Sequence, residues 1–308
     1  DCERLNVIWR DRIDGRLDEI FDFQDKVSMA IVKKITPSVQ EAEKARVARK
    51  RPETFSAYDY FLRGLDLVYR LDRDRFDNAR AMFERAKELD PRYAAPHAYL
   101  ALWYAIRIGQ GWSPDKKADA EAAAGLKAAA IECDRLDASV LAICGHVESI
   151  LLKNHEGAIA LFDRAIAAAP NSAIAWTRSS PTYSYIGNWK EGRRRAELGR
   201  DLSPLDRHVF YSYTALSLAA YTGEEYDEAI YWGRRAREEN SFFTATLRLL
   251  CASQAAAGQI EHAQKTASNL LGLEPNFRVE AFCREYAYKE QGQRDRLAAH
   301  LLAAGLPN

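Results

Sequence analysis

The sequence predicts an all-α fold, a right-handed superhelical solenoid of about six helix pairs with a C-terminal capping helix and a short N-terminal strand remnant. Three observations predict it. The stretch from Glu156 to Pro170 sets Ala158, Phe162 and Ala165 on one helical face and stops at Pro170, and the same phrase stands earlier as Ala79, Phe83, Ala86 and Pro91. An apolar face at i, i+4 and i+7 makes an amphipathic helix, a proline soon after its end stops it, and a recurring phrase means a chain built from copies. The closing mark then recurs at positions 91, 135 (an arginine), 170, 204, 241 (a serine) and 275, in steps of 44, 35, 34, 37 and 34 residues. Finally, Asp74-Arg-Phe76-Asp-Asn-Ala79, Gly187-Asn-Trp189-Lys-Glu-Gly192, Gly223-Glu-Glu-Tyr226-Asp-Glu-Ala229 and Gly258-Gln-Ile260-Glu-His-Ala263 are versions of one turn.

A helix pair of about 34 residues with a small residue inside helix A, small–aromatic–small in helix B and a closing proline is the tetratricopeptide (TPR) pattern. Glycine at the turn is expected to leave helix A with positive φ, the next apolar residue to tuck beneath it, and the alanine to let the helices approach. His155 fills the apolar slot in the third pair, where packing is the expected role.

Residues 1–14 read as the terminal strand of a truncated α/β domain, because Val7, Trp9 and Ile13 alternate with polar residues. A lone strand needs partners, and the chain starts without Met or an apolar leader, so a fragment of a longer chain is expected. Residues 15–51 read as linker helices: Leu17, Ile20, Phe21, Gln24, Val27, Ile31 and Ile35 form a stripe that Pro37 ends, and the charged run 38–51 is a solvated helix or a basic patch. Residues 52–275 hold the repeat array, and 276–308 the cap, with Leu297, Leu301 and Leu302 inward and His300 outward.

Within the array the expected core of helix A is Leu100, Ala101 and Tyr104 in pair two, Leu141 and Gly145 in pair three, and Trp176 and Tyr183 in pair four. Pair four departs from the pattern: Pro181 lies inside helix A, where a kink is expected, and Gly192 and Gly199 replace alanines. Pair two carries an insertion, Ile106 to Lys117, with Ser113 as expected N-cap and Pro114 as first helical residue. Gln110 and Trp112 lie on that insertion loop, and Trp112 either meets a ligand or folds back on its own helix pair.

Lys+Arg and Asp+Glu both total 44, which argues against a surface that is wholly a nucleic-acid or membrane footprint. No run of about 18 apolar residues suggests a membrane span. Five scattered cysteines without a Cys-x-x-Cys read as free thiols in a reducing compartment, and a cytoplasmic location is expected. No phosphate loop, zinc-protease helix or nucleophile turn is present, so no catalytic residue, metal or cofactor is expected, and this chain reads as a non-enzyme.

The block from Ile8 through Trp9, Arg12, Asp14, Gly15, Leu17, Ile20, Phe21, Gln24 and Asp25 to Val27, and the block Ala57-Tyr58-Asp59-Tyr-Phe-Leu62-Arg63-Gly64, go beyond the generic repeat. With Pro275-Asn-Phe-Arg-Val279 and Ala304-Gly-Leu-Pro307, they resemble the C-terminal region of bacterial class III adenylate/guanylate cyclase-like proteins across nearly the whole chain. A similar segment also trails winged-helix transcriptional regulators. The resemblance implies cyclic-nucleotide signalling by a catalytic domain upstream of Asp1, or else a sensing arm of a transcription regulator. No cyclase metal or nucleotide residue has a counterpart here.

Helices A line the concave face of such an array. The register assigns His146, Ser149, Thr177, Arg178, Ser184, Tyr185, His208, Tyr211, Thr214 and Arg248 to that groove, where they suit an extended peptide or a helix. Arg178 and Arg248 could pair with a partner's carboxylates. A protein or peptide partner in the groove, self-association, and no nucleic acid are the expectations.

Overall fold

The computed structural model describes residues 55–308 apart from Leu205 and Arg207, together with Glu43 and Val47. The expected strand at 4–14, the helical stripe from Leu17 to Ile35 and most of the charged run fall outside the described residues. Among the described residues every regular element is an α-helix. Six antiparallel pairs follow one another: α1 (Ala57–Val68) with α2 (Phe76–Leu89), α3 (Ala94–Gly109) with α4 (Lys116–Cys133), α5 (Ala138–Ile150) with α6 (His155–Ala168), α7 (Ala173–Tyr185) with α8 (Trp189–Leu202), α9 (Val209–Thr222) with α10 (Tyr226–Glu239), and α11 (Thr244–Ala256) with α12 (Ile260–Leu273). A short α13 (Val279–Arg284) and α14 (Gln291–Ala303) close the chain. Every helix B ends two residues before its closing mark.

The recurring phrase is core. Ala79, Phe83 and Ala86 in α2, and Ala158, Phe162 and Ala165 in α6, are all fully buried. Phe83 and Phe162 press where only a small residue fits in the preceding helix: a Cβ on Gly64 would lie 2.6 Å from the Phe83 ring, and one on Gly145 3.0 Å from the Phe162 ring. Between the first and second pairs Trp103 stacks on Phe76 at 5.2 Å and donates its indole N–H to the Phe76 carbonyl at 3.0 Å, which ties α3 to the start of α2.

Several expectations are corrected. The insertion helix is capped by Asp115, whose carboxylate accepts from the Lys117 and Ala118 amides at 3.1 and 3.0 Å, and Ser113 and Pro114 stay outside it. Gly187 and Gly258 have positive φ as expected, but at the third glycine turn the left-handed residue is Glu224, and Gly223 is needed because a Cβ there would lie 2.6 Å from the Trp189 ring. Helix α7 is continuous through Pro181, so the kink expected there does not end it. Trp176 and Tyr183 are half-buried rather than core, packed against Arg195 at 5.3 and 4.1 Å. In α14 Leu297 and Leu301 face inward, but Leu302 is exposed; His300 turns in instead, its Nδ1 2.8 Å from the Tyr221 hydroxyl.

The apolar core is divided. One cluster joins pairs one to three through Phe61, Trp103, Leu141 and Phe162; another joins pairs five and six to the cap through Leu218, Tyr221, Leu270 and Leu301. Between them α7 buries Thr177, Arg178, Ser179, Ser180, Thr182 and Ser184. Cys144, Cys251 and Cys283 are buried free thiols, each pushed up to about 12 by burial, and Cys133 is a half-buried free thiol.

Candidate functional site

The stack curls until its second and sixth pairs touch. Gln110, just past the end of α3 and only 1% exposed, donates to the Phe242 carbonyl at 2.7 Å and accepts from the Thr244 amide at 3.0 Å and hydroxyl at 2.8 Å. Arg248 of α11 donates to the Gly109 carbonyl at 2.9 Å and pairs with Glu274. On the same inner side Tyr69, the residue capping α1, accepts from Arg178 at 2.9 Å, stacks on His208 at 4.2 Å and has its carbonyl 3.4 Å from the Asn240 amide group. All of these contacts except the Arg248–Glu274 pair span more than a hundred residues of sequence. They convert the concave face into a partly enclosed interior, with Gly109, Lys116, Arg278 and Glu285 exposed on its rim.

At the centre of that interior lies a cavity of about 320 Å³. Six of the ten groove residues border it: His146, Arg178, Tyr185, Tyr211, Thr214 and Arg248. Most of the remaining wall is aliphatic or aromatic, with Leu102, Ile106, Pro181, Leu218, Phe243 and Leu249 from the array and Phe277, Phe282 and Tyr286 from the C-terminal segment. The chain end is held in place by the Lys289 amide, which donates to the Tyr185 carbonyl at 2.9 Å, and by the Tyr288 hydroxyl, 2.9 Å from that of Thr222.

The other groove residues lie elsewhere. Ser149 and Ser184 face neighbouring helices rather than the concave side: Ser149 accepts from the Thr182 hydroxyl at 2.9 Å and meets His155 Nδ1 at 3.1 Å, and Ser184 donates to the Ser180 carbonyl in its own helix. Thr177 is wedged between Gly199 and Ser212, its hydroxyl 3.4 Å from that of Ser212. His208 sits on Tyr69 beside Asp206. Of the loop residues, Gln110 is a structural clamp, and Trp112 packs edge-on against Phe76 at 4.9 Å beneath Arg73 at 5.1 Å, so it covers the preceding helix pair rather than its own.

Arg178 dominates the electrostatics. Its guanidinium lies 3.6 Å from the Tyr211 ring centroid and 5.7 Å from that of Tyr69. A desolvated cation over an aromatic face gains about 2 kcal/mol, well below what removing a full charge from water costs. His146 lies beside it with a ring nitrogen 2.9 Å from the Tyr211 hydroxyl. Burial first, and the Arg178 charge second, hold this imidazole well below its ordinary range, so it is neutral. Two carboxylates are buried and paired as well, Asp119 with Arg107 and Glu148 with Lys127. Sequence reasoning missed Tyr69 and Phe243, for which the only local signal was an aromatic residue at a helix boundary.

Comparison with known proteins places the architecture. The chain superposes on the crystal structure of the APC/C hetero-tetramer Cut9–Hcn1 with a TM-score of 0.56 at 13% identity, over 89% of this chain and 48% of that one. A tetratricopeptide repeat protein from Parabacteroides merdae gives a TM-score of 0.43 at 12% identity, covering 81% of this chain and 92% of that one. The six stacked helix pairs, with the small–aromatic–small phrase buried between them, make the fold a TPR solenoid. No protein-family profile matches the chain. A segment of 127 residues, 41% of the chain, is 28% identical to a protein of Rhizobium meliloti (strain 1021) named "Putative adenylate cyclase 3", of which it covers 22%. The winged-helix resemblance finds no support among these proteins. Among the described residues no helix is long and apolar enough to cross a membrane, and no group of three or more His, Cys, Asp or Glu is placed to hold a metal ion.

Proposed function

We propose that this chain is the non-catalytic, partner-binding regulatory region of a bacterial signalling protein, joined in the whole protein to an adenylate cyclase domain. The observation that carries this reading is the conjunction of a TPR solenoid with a 127-residue likeness to a protein named as a cyclase. A solenoid of stacked pairs is a rigid scaffold with large outer faces, and it suits capture of a protein partner or of a second copy. Eight of the ten residues assigned to the groove are buried, which favours a partner on the outer faces over an extended peptide along them. Polypeptide partners then meet the outer faces, where Leu89, Leu136, Tyr231 and Phe242 are exposed. The cytoplasm is the compartment this reading implies.

The test is cyclic-nucleotide production from ATP by the whole protein, by the whole protein without residues 52–308, and by residues 1–308 alone. The whole protein is expected to form cAMP, the truncated form to form it at an altered and unregulated rate, and the isolated chain to form none. Turnover by residues 1–308 alone would end the non-catalytic reading. A whole protein that makes no cyclic nucleotide would end the cyclase link.

A further inference from the structure

Three arginines are buried among the described residues: Arg178, Arg195 and Arg248. Arg195 is paired with Glu191 at 2.7 Å, and Arg248 with Glu274. The half-buried cations on the same stack follow suit, Arg107 with Asp119 and Lys127 with Glu148. Arg178 is the exception. Only 4% of it is exposed, and its hydrogen-bond partners among the described residues are two phenols, Tyr69 at 2.9 Å and Tyr211. No described carboxylate lies within ion-pair distance of it; Asp206, which feels its field, is engaged with His208. A guanidinium has five N–H donors and does not deprotonate in proteins, so two neutral phenols leave donors spare and no described carboxylate balances its charge.

The cavity supplies the rest of a binding site. At about 320 Å³ it holds far more than a single water, and its wall is mostly apolar with a few convergent polar groups. Water would satisfy donors but leave the charge standing. Of the other charged residues on the lining, Arg248 is paired with Glu274, and Lys116, Arg278 and Glu285 are exposed; the groups beside Arg178, the Tyr69 and Tyr211 hydroxyls and the neutral His146, carry no charge, so Arg178 is the one buried charge of the lining without a described carboxylate. One unit of negative charge balances it. A phosphate dianion would be left with an unpaired charge, whereas a carboxylate matches the planar fork of the guanidinium with two parallel hydrogen bonds. Apolar walls of Leu218, Phe243 and Leu249 then call for an apolar body behind that carboxylate.

We propose that the axial cavity binds a small apolar monocarboxylate, its carboxylate on Arg178 and its hydrocarbon or aromatic body against Leu218, Phe243 and Leu249. The site lies wholly within this chain and stands whether or not a cyclase is attached to it.

The experiment is isothermal titration of the 308-residue chain with decanoate and with 4-phenylbutyrate, each paired with an uncharged counterpart, 1-decanol and 4-phenylbutyramide. At least one carboxylate is expected to bind, one per chain, with its uncharged counterpart on the order of tenfold or more weaker, the loss expected when a charged hydrogen-bond partner is removed. Arg178→Gln is expected to lower carboxylate affinity by about the same factor while the circular dichroism spectrum stays that of the parent. The pairing of acid with neutral counterpart needs no variant, so it decides the matter even if Arg178→Gln does not fold. Failure of both carboxylates to bind at about 1 mM, equal binding of acid and neutral counterpart, or a folded Arg178→Gln chain that binds as tightly as the parent would each overturn the site.

Discussion

Gly199 and Gly125 are both inside B helices, yet adding a methyl group to each should move stability in opposite directions. In α8 a Cβ on Gly199 would lie 2.1 Å from the Thr177 hydroxyl oxygen, 2.8 Å from the Thr177 amide nitrogen and 3.0 Å from the Ala173 carbonyl. The hydroxyl could rotate, but the two backbone atoms belong to α7 and cannot give way without moving that helix. Overpacking of this kind costs about 1–3 kcal/mol, and rigid backbone contacts put it at the upper end. Replacing glycine by alanine inside a helix returns about 1 kcal/mol of propensity, so Gly199→Ala should lose about 2 kcal/mol net. Gly125 in α4 is exposed and has nothing within 4 Å of the same added atom, so Gly125→Ala keeps the propensity gain and should be stabilised by up to about 1 kcal/mol. Urea unfolding followed by circular dichroism measures both against the parent chain. A Gly199→Ala chain as stable as the parent would refute the close approach of α7 and α8.

Two further outcomes follow from the partly enclosed interior. Gln110→Ala leaves the Phe242 carbonyl and the Thr244 amide without their partner; it should cost about 2 kcal/mol or more and speed hydrogen exchange at the Thr244 amide, and unchanged exchange there would place the closure elsewhere. Stability should also fall on acidification. His146 is held neutral in the folded chain while the unfolded chain takes up a proton near pH 6.5, so below that pH the unfolded state binds more protons and is favoured, by up to about 1.4 kcal/mol per pH unit. His155 and His300, also lowered chiefly by burial, add the same sign. Urea unfolding at about pH 7.5 and pH 5.5 measures the slope, which His146→Gln should reduce; an unchanged slope in that variant would mean that His146 is hydrated.

The repeat length was legible because it is a local quantity. Ala158, Phe162 and Ala165 must face their own partner helix whatever the rest of the chain does, and the closing marks therefore predict each helix end to two residues. What the concave face becomes is not local. Tyr69 meets Arg178 across 109 residues, and Gln110 meets Thr244 across 134, because small rotations accumulate from pair to pair until the first and fourth, and the second and sixth, are neighbours. Nothing in a window of one repeat records that sum. Smaller misses have chemical reasons. Ser113 and Asp115 are both good N-caps, and the carboxylate holds two amides at once. Leu302 and His300 differ by two positions on α14, and Tyr221 offered the histidine a partner that the apolar pattern could not reveal.

The polar character of α7 explains why the unpaired charge sits where it does. Three of its hydroxyls find partners close by: Ser179 donates to the Trp176 carbonyl, Thr182 to Ser149, and Ser184 to the Ser180 carbonyl. Small side chains and the glycines of α8 then let the two helices approach so closely that α7 cannot shift to relieve strain on its inner side. A helix packed through small hydroxyl side chains, of which only the Ser180 hydroxyl lacks a hydrogen-bond partner among those buried, does not need its inner face for an apolar core, and that face is free to carry Arg178. The two apolar clusters end on either side of it, one holding Phe210 and the other Tyr185. Arg178 touches Tyr69 of the first pair and Tyr211 of the fifth, so a change in its charge balance acts on both ends of the closure at once. A buried cation is costly to keep and easy to replace by a hydrophobe, and its place on the most firmly held helix of the stack is what a recognition group requires.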